Sequence, residues 1–325
     1  METIYVTHKN AVIHRCAEHL IIRKKGQKVG TIPLTGLKTI VLMTGVQLTS
    51  AAINVVLEKN IDVILTSQGG KIKGRINSIS GGGAIVRLAQ HSAFINTEKR
   101  LSIAKSIVNA KIKNQLALIL KSLKHYPLER YFRESQAMEQ NRVKLDGFMN
   151  LDEIMGIEGI CARIYWDAYR NMLKEPLFTR REYRPASDIV NSALNLGYSF
   201  LANEISTCLA AKNLDLEIGF LHSIHYGRQS LTLDVMEVFR SPFIDAWLLT
   251  LFNKRMLTPD HFLGKENGFY LNELGFMKFC ECYHRHLEKG NWQAKFQEEA
   301  ASLKAALTEN NEFKPFLCEE YHHDE

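Results

Sequence analysis

The sequence contains no apolar run long enough to cross a membrane. Its longest runs of this kind, Thr39–Met43 and Phe243–Phe252, fall well short of the roughly 20 residues that a transmembrane helix needs. The N-terminal residues lack the basic and then apolar pattern of a signal peptide. The six cysteines are scattered over the chain, which favours reduced thiols over a disulfide framework. These absences predict a cytoplasmic protein that does not bind membranes.

Proline and low-complexity sequence are also scarce. The 325 residues include 7 prolines and 20 glycines, and 46% of them are hydrophobic and 23% charged, which excludes a collagen-like or wholly disordered chain. A single hydrophobic core stops growing at about 250–300 residues. The length therefore predicts two domains.

Acidic residues are rare in the first part of the chain. The formal net charge is +6, and residues 1–94 hold 12 lysines and arginines against 4 acidic residues, whereas the remainder is close to neutral. A basic half beside a near-neutral half indicates a polyanionic partner such as nucleic acid. The alternative is a basic surface without such a partner.

The pattern of apolar residues changes near residue 85. Short β-branched segments fill the first part, with one helical stretch at Leu48–Glu58, and predict a β-rich N-terminal domain over residues 1–85. From residue 86 the spacing is helical, most clearly over Leu101–Leu123, and predicts a larger all-α domain over residues 86–325. The fold class is therefore α+β. The segment Lys174–Pro185 is interpreted as an exposed basic loop or a solvated linker.

Glu158 is the first candidate for chemistry. It lies among Ile154, Ile157, Ile160 and Cys161 on a predicted helix. A carboxylate beside an apolar face is costly unless it is paired, hydrogen-bonded or bound to a metal. The alternative is a helix N-terminal carboxylate that backbone amides satisfy.

His222 lies in the second candidate segment. It comes after an apolar run and precedes a polar turn, and a single histidine in such a place is more often structural.

The third candidate segment contains Asp234 and Glu237. They are three residues apart on a mostly apolar helix, so they share a face and repel each other unless a cation is near. This favours a metal site, although Asp234 with Arg240 could form a simple ion pair.

One imidazole and two or three carboxylates make a mixed ligand set. Such a set suits Mg²⁺ or Mn²⁺ better than a structural Zn²⁺. A metal of this kind can polarise a phosphoryl oxygen or activate a hydroxyl group. Arg228 and Ser230 could contact phosphate or cap the following helix.

The segment Cys280–His286 is a competing metal candidate. On a helix Cys280 pairs with His284 and Cys282 with His286 on different faces, so one Zn²⁺ cannot collect all four, and a structural role is favoured. The motifs G-x-S-x-G, H-E-x-x-H and G-x-G-x-x-G after a strand are absent, which excludes the enzyme classes that they mark.

Four segments together resemble the Cas1 family of CRISPR-associated integrases and endonucleases. They are I-E-G-I-C-A-R-I-Y-W around Glu158, the helix R-P-A-S-D-I-V-N-S-A-L-N-L-G-Y with Asn191 and Tyr198, G-F-L-H-S with His222, and Y-G-R-Q-S-L-T-L-D-V-M-E-V-F-R with Glu237. The order and spacing from Glu158 to His222 and from His222 to Glu237 both match the family. The specific match covers residues 158–240, and the looser plan of a β-domain followed by helices covers nearly the whole chain.

The resemblance implies a function in CRISPR adaptation, a branch of antiviral defence. It implies a homodimer that assembles with a small partner, Cas2, and binds double-stranded DNA. The complex joins the 3′-OH ends of a captured fragment to the repeat array by transesterification. A non-catalytic DNA-binding scaffold is the alternative.

The resemblance also implies roles for particular residues. Glu158, His222 and Glu237 would be the catalytic residues and the ligands of Mg²⁺ or Mn²⁺. Asp234 would lie close to the metal, as a second-shell group or an additional ligand. Candidates for DNA binding are Arg163, Arg228 and Arg240.

Overall fold

The chain folds into two compact units, residues 1–82 and residues 83–325. A computed structural model describes residues 3–6, 8–66, 72–76, 83–123, 129–183, 185–266, 268–309 and 311–318. The first unit is rich in strands and the second is helical, which confirms the predicted α+β class. In the described part of the chain, no helix combines the length and the apolar character that a membrane crossing demands.

Eight strands and one helix form the described part of the first unit. In chain order they are β1 (Thr3–Val6), β2 (Ala11–Cys16), β3 (His19–Lys24), β4 (Gln27–Pro33), β5 (Thr39–Leu42), β6 (Gln47–Leu48), α1 (Ser50–Glu58), β7 (Asp62–Thr66) and β8 (Ile72–Ile76). One sheet has the order β1-β5-β7-β8, with β8 antiparallel to β7 and the other pairs parallel. The other sheet has the order β4-β3-β2-β6.

Local signals explain how these elements begin and turn. The side chain of Thr49 accepts the backbone N–H of Ala52, so it caps α1 and sets its first residue one position later. Lys25 and Gly26 both have positive φ, 50° and 81°, as the tight turn between β3 and β4 requires. The apolar face of α1 joins the buried faces of both sheets in one core.

The second unit consists mainly of helices. They are α2 (Gly83–Ile95), α3 (Thr97–Leu123), α4 (Glu129–Arg142), α5 (Leu151–Met172), α6 (Ile189–Ala211), α7 (Ser230–Phe239), α8 (Ala246–Asn253), α9 (Glu273–Lys289) and α10 (Trp292–Thr308). A π-helical segment, Arg240–Asp245, joins α7 to α8. An antiparallel hairpin of β9 (Phe262–Lys265) and β10 (Gly268–Leu271), which the helical spacing does not predict, interrupts the helices.

Helix α3 organises this unit because it packs against α4, α5 and α7. Its buried face carries Ile103, Ile107, Val108 and Ile112. The side chain of Asn150 caps α5 by accepting the N–H of Glu153. Because α3 packs against both α5 and α7, it lies next to the segments that carry Glu158 and Glu237.

The C-terminal segment 311–318 packs against α10 and α7 without regular structure. Phe316 stacks on Phe239 at 5.1 Å between ring centroids, and its backbone N–H donates to Oε2 of Glu299 at 2.8 Å. Oε1 of Glu299 is buried and has no hydrogen-bond partner among the described residues. Burial raises the pKa of Glu299 to about 8, although the Phe316 N–H opposes the shift.

This raised pKa predicts a pH-dependent stability. Because the folded state favours protonated Glu299, its stabilising contribution is present at low pH and is lost as pH rises toward about 8. The variant Glu299→Gln is expected to remove this loss, so that its unfolding free energy exceeds that of the wild type above pH 8. Urea unfolding from pH 5 to 9 measures it. Glu298→Gln, on the exposed side of α10, is the control; a variant curve parallel to the wild type would contradict the prediction.

Candidate metal centre

Two acidic side chains from different helices meet at one lysine. The Nζ atom of Lys111, on α3, donates a hydrogen bond to Oε1 of Glu158 on α5. The same Nζ lies 2.6 Å from Oε2 of Glu237 on α7. The structure therefore brings the two predicted glutamates to a single cationic group.

This triad is largely withdrawn from solvent. The side chains of Lys111 and Glu237 are 10% and 8% exposed, and that of Glu158 is 27% exposed. Burial lowers the pKa of Lys111, but the attraction of Glu237 and then of Glu158 outweighs it and holds the pKa above its ordinary value. The site is thus an internal ion cluster that opens to solvent on the side of Glu158.

Arg240 is the second cation on Glu237. Its Nε lies 3.0 Å from Oε1 of Glu237, one helical turn away. Burial alone would raise the pKa of Glu237, but the attraction of Arg240 and Lys111 outweighs burial and lowers the pKa to about 2. Glu237 is therefore ionised throughout the physiological range. Its Oε2 receives no aligned hydrogen bond from the described residues, even though a cation is adjacent.

Asp234 holds His222 in place. The buried carboxylate of Asp234 accepts the backbone N–H groups of Phe220 at 2.5 Å, Leu221 at 2.9 Å and His222 at 2.9 Å. Its Oδ1 also lies 2.6 Å from Nδ1 of the His222 ring. Because Nδ1 is engaged by a carboxylate, Nε2 is the ring nitrogen that could act as a ligand.

The predicted site residues thus form two neighbouring pairs. His222 is near enough to Glu237 to help lower its pKa. However, no group of three or more His, Cys, Asp and Glu side chains within the described ranges is assembled closely enough to hold a metal ion. Glu158 and Glu237 are joined by Lys111, and His222 is joined to Asp234. The expected contact of Asp234 with Arg240 is replaced by the contact of Arg240 with Glu237.

Gly219 makes the Asp234 contacts sterically feasible. A Cβ added at Gly219 would lie 2.7 Å from Oδ2 of Asp234 and 2.8 Å from the backbone carbon of Ser230. Both neighbours are fixed, one by three backbone hydrogen bonds and the other by its place at the start of α7. The chain therefore needs glycine at this position for close approach.

We expect Gly219→Ala to destabilise the protein by about 1–3 kcal/mol, since a methyl group must displace backbone or a buried carboxylate. Chemical denaturation with tryptophan fluorescence measures the effect. Gly156→Ala, on α5 with nothing within 4 Å of the added methyl group, is the control and should stabilise by about 0.5–1 kcal/mol. Equal stability of Gly219→Ala and the wild type would contradict the prediction, because it would show that the loop accommodates a methyl group at this position.

The three predicted DNA-binding arginines differ in their surroundings. Arg163 is exposed on α5, and Arg228 is half-buried in the turn before α7. Arg240 is mostly buried: its guanidinium lies 4.4 Å above the Tyr198 ring and donates to the Tyr183 hydroxyl at 3.3 Å. Because its contacts are internal, Arg240 is better placed to orient Glu237 than to bind DNA.

A buried polar network around Asp245 contacts Arg240 through the ring of Tyr198. Asp245 accepts the hydroxyl hydrogens of Tyr165 at 2.7 Å and Tyr198 at 2.5 Å. Burial raises the pKa of Asp245 to about 6 despite these hydrogen bonds. The chain of contacts runs from Asp245 through Tyr198 and Arg240 to Glu237, and π-helical segments such as the one carrying Asp245 are frequent at functional sites.

The basic segment Lys174–Pro185 is hydrogen-bonded to α6 through Arg181. This guanidinium donates to the side-chain oxygens of Asn191 at 2.8 Å and Asn195 at 2.6 Å, and it lies 4.1 Å from the Tyr183 ring centroid. Most described residues of the segment are exposed, Arg180 among them, as an exposed loop requires, whereas Arg181 is half-buried. The two asparagines of α6 bind the segment, and the sequence alone gave no sign of that pairing.

The Cys280–His286 segment packs as a helix. His286 stacks between Phe243 and Trp247, with ring centroids 5.0 and 5.5 Å away, and its Nε2 is 2.9 Å from the carbonyl oxygen of Phe243. Burial lowers the pKa of His286 to about 4, so the ring is neutral. These contacts give the histidine a structural role.

Sequence reasoning missed Lys111. Its signal is the helical spacing, because Ile107 and Val108 precede it by four and three residues and are both buried. A lysine on the apolar face of α3 needs a carboxylate partner, and the sequence contains the isolated glutamate of α5 and the acidic pair of α7. Only the packing of three helices joins them.

The fold is that of CRISPR-associated proteins of known structure. A Cas1 protein from Thermotoga maritima superposes with a TM-score of 0.75 at 24% identity, over 94% of this chain and 97% of that one. A casposase bound to its integration product gives a TM-score of 0.76 at 22% identity, over 100% and 96%. At these identities the likeness concerns the fold alone.

The family follows from the sequence itself. The family model described as CRISPR associated protein Cas1 matches residues 4–285, and the chain belongs to the Cas1 family. It is 28% identical over 324 residues to the CRISPR-associated endonuclease Cas1 1 of Thermus thermophilus, covering 97% of this chain and 98% of that protein. The CRISPR-associated endonuclease Cas1 1 of Moorella thermoacetica is 29% identical over 301 residues, 89% of this chain and 87% of that protein.

Proposed function

We propose that this chain is a metal-dependent DNA endonuclease and integrase of CRISPR adaptation, which joins 3′-OH ends of captured DNA to a repeat array by transesterification. The observation that carries the proposal is the pairing of two glutamates from separate helices around one buried cation, beside an oriented imidazole. The relatives named as Cas1 endonucleases and the casposase-like fold support it.

The donor set fits a divalent cation. Glu158 and Glu237 already hold a cationic group, and Oε2 of Glu237 is a buried acceptor without an aligned hydrogen bond. One imidazole and carboxylate oxygens match Mg²⁺ or Mn²⁺ better than structural Zn²⁺. Glu158, Glu237 and Nε2 of His222 would hold the ion. When bound, it would neutralise charge on the reacting phosphate and lower the pKa of a coordinated hydroxyl.

The protein's own groups orient these donors. Asp234 fixes the His222 ring through Nδ1, which leaves Nε2 as the ring nitrogen available to a ligand. Arg240 fixes Oε1 of Glu237, which leaves Oε2 directed at the cation position. We assign Asp234 and Arg240 as positioning residues, since each acts through another side chain.

The proposed partners follow from charge and from the family. The basic residues of the first 94 positions, with Arg163 and Arg228, would bind DNA phosphates, so affinity should fall steeply with salt. One structural neighbour, with a TM-score of 0.75, is a partial Cas6-RT-Cas1–Cas2 complex. We accordingly propose assembly of a homodimer of this chain with Cas2 in the cytoplasm.

A strand-joining assay separates this function from that of a DNA-binding scaffold. Purified protein, with and without Cas2, is incubated with a 3′-OH duplex and a supercoiled target in Mn²⁺ or Mg²⁺. The proposal predicts joined product that EDTA abolishes and excess Mn²⁺ restores. DNA binding without joining or cleavage under any of these conditions would favour the scaffold.

A further inference from the structure

Lys111 occupies the place between the two proposed metal ligands. Its Nζ is bonded to Glu158 and lies 2.6 Å from Glu237, and its side chain is 10% exposed. Lys111 lies in the interior of α3 and is 8% exposed as a residue, so its ammonium is withdrawn from bulk water. The ammonium is therefore a built component of the site.

The charges of this cluster balance without a metal. Glu158 and Glu237 contribute two negative charges, and Lys111 and Arg240 contribute two positive charges. Buried like charges repel strongly when no counter-ion separates them. Lys111 thus offsets the repulsion between the two carboxylates and holds them close together in the metal-free protein.

A divalent ion on the same oxygens would change that balance. With Lys111 and Arg240 both in place, the cluster would carry two net positive charges in a poorly solvated site. Arg240 contacts Oε1 of Glu237, whereas Lys111 is at Oε2 and at Glu158. Lys111 is therefore the cation that contacts the carboxylate oxygens that a metal ion would also bind. Its flexible four-carbon side chain permits the ammonium to move away from them.

We infer that Lys111 is a positioning residue that holds the metal-free site together and competes with the divalent ion for Glu158 and Glu237, so that metal binding displaces its ammonium from the carboxylates. The inference rests on the proposed metal-dependent function. It predicts two effects of opposite sign when the charge is removed: a weaker metal-free fold and a tighter metal complex.

Lys111→Met tests both effects, since methionine keeps much of the stem and removes the charge. The melting temperature in EDTA should fall, while the dissociation constant for Mn²⁺, measured by isothermal titration calorimetry, should decrease about tenfold, a typical scale for groups around metal ligands. Mn²⁺ should consequently raise the melting temperature of the variant more than that of the wild type. Lys111→Arg keeps the charge and should restore weaker Mn²⁺ binding.

Lys105→Met is the matched control on α3, because Nζ of Lys105 donates to the carbonyl oxygen of Asp146 away from the cluster. It should leave Mn²⁺ affinity unchanged. If Lys111→Met is folded and binds Mn²⁺ no more tightly than the wild type, the competition is refuted. If Lys111→Met unfolds without metal, recovery of the fold with Mn²⁺ supports the inference and failure to recover overturns it.

Failure of the proposed function has a different result. In that case neither the wild type nor Lys111→Met binds Mn²⁺ in the calorimeter, while the metal-free melting temperature still falls in the variant. That outcome would leave Lys111 as a purely structural counter-ion and overturn both the competition and the metal-dependent function.

Discussion

Glu237→Gln is expected to lower the rate of 3′-OH strand joining by about a thousandfold or more. Loss of one anionic ligand removes several kcal/mol of charge stabilisation at the reacting phosphate, and 1.36 kcal/mol corresponds to a factor of ten. Glutamine has nearly the same shape as glutamate, so the effect isolates the charge. Joining of a fluorescent 3′-OH duplex to supercoiled DNA in Mn²⁺ gives the rate.

The stability of this variant needs its own measurement. Glutamine at position 237 leaves Lys111 and Arg240 buried with less negative charge, so Glu237→Gln will lower the melting temperature. Glu158→Gln, at a more exposed position, should lose joining with a smaller loss of stability. Asp167→Asn, on the exposed side of α5, serves as the control. A folded Glu237→Gln protein that joins DNA at the wild-type rate would exclude Glu237 from the chemistry.

Asp234→Asn should reduce both stability and strand joining, for two separate reasons. The carboxylate accepts three backbone N–H groups and contacts Nδ1 of His222, whereas an asparagine turns an NH₂ group toward some of these donors. We expect a stability loss of about 1.5–3 kcal/mol. We also expect joining or metal affinity to fall about 10- to 100-fold, since the imidazole loses its fixed orientation.

Denaturation and strand joining measure these two effects on the same preparation. Glu217→Gln, an exposed change in the same loop, should alter neither quantity. The pairing of Asp234 with His222 predicts that His222→Ala and Asp234→Asn are less than additive for joining. Full additivity of the two variants would show that Asp234 acts independently of the imidazole.

The sequence was sufficient for the parts of the site that local spacing controls. Asp234 and Glu237 are three residues apart on a helix, so their shared origin on α7 follows from the helical period. An acidic residue at position 158 beside apolar neighbours likewise required a partner. The division into a strand-rich part and a helical part follows from periodicities of two and 3.6 residues.

The remaining features depend on contacts between distant segments. Lys111 meets Glu158 and Glu237 only because α3 packs against α5 and α7. Arg240 pairs with Glu237 because that residue is one turn away, while Asp234 is directed into the loop before α7. Helical spacing favours Glu237 as the partner of Arg240, because only residues three or four apart share a face, and the burial of Asp234 against the loop agrees with this.

The hairpin β9–β10 and the π-helical segment escaped prediction for local reasons. Each hairpin strand has four residues, which is the lower limit of length at which an alternating pattern can be recognised. The π-helical segment contains Pro242, which interrupts the regular hydrogen-bond pattern after α7. Asp245 lies at its end and meets Tyr165 and Tyr198 through tertiary packing.

We propose that Glu158, Glu237 and His222 bind one divalent ion in place of the Lys111 ammonium. Crystals grown with Mn²⁺ and measured at the manganese absorption edge would locate the ion directly. We expect a single anomalous peak coordinated by both glutamates and by Nε2 of His222, with Lys111 moved away from the carboxylates. No peak at these residues at saturating Mn²⁺, with Lys111 still bridging Glu158 and Glu237, would contradict it.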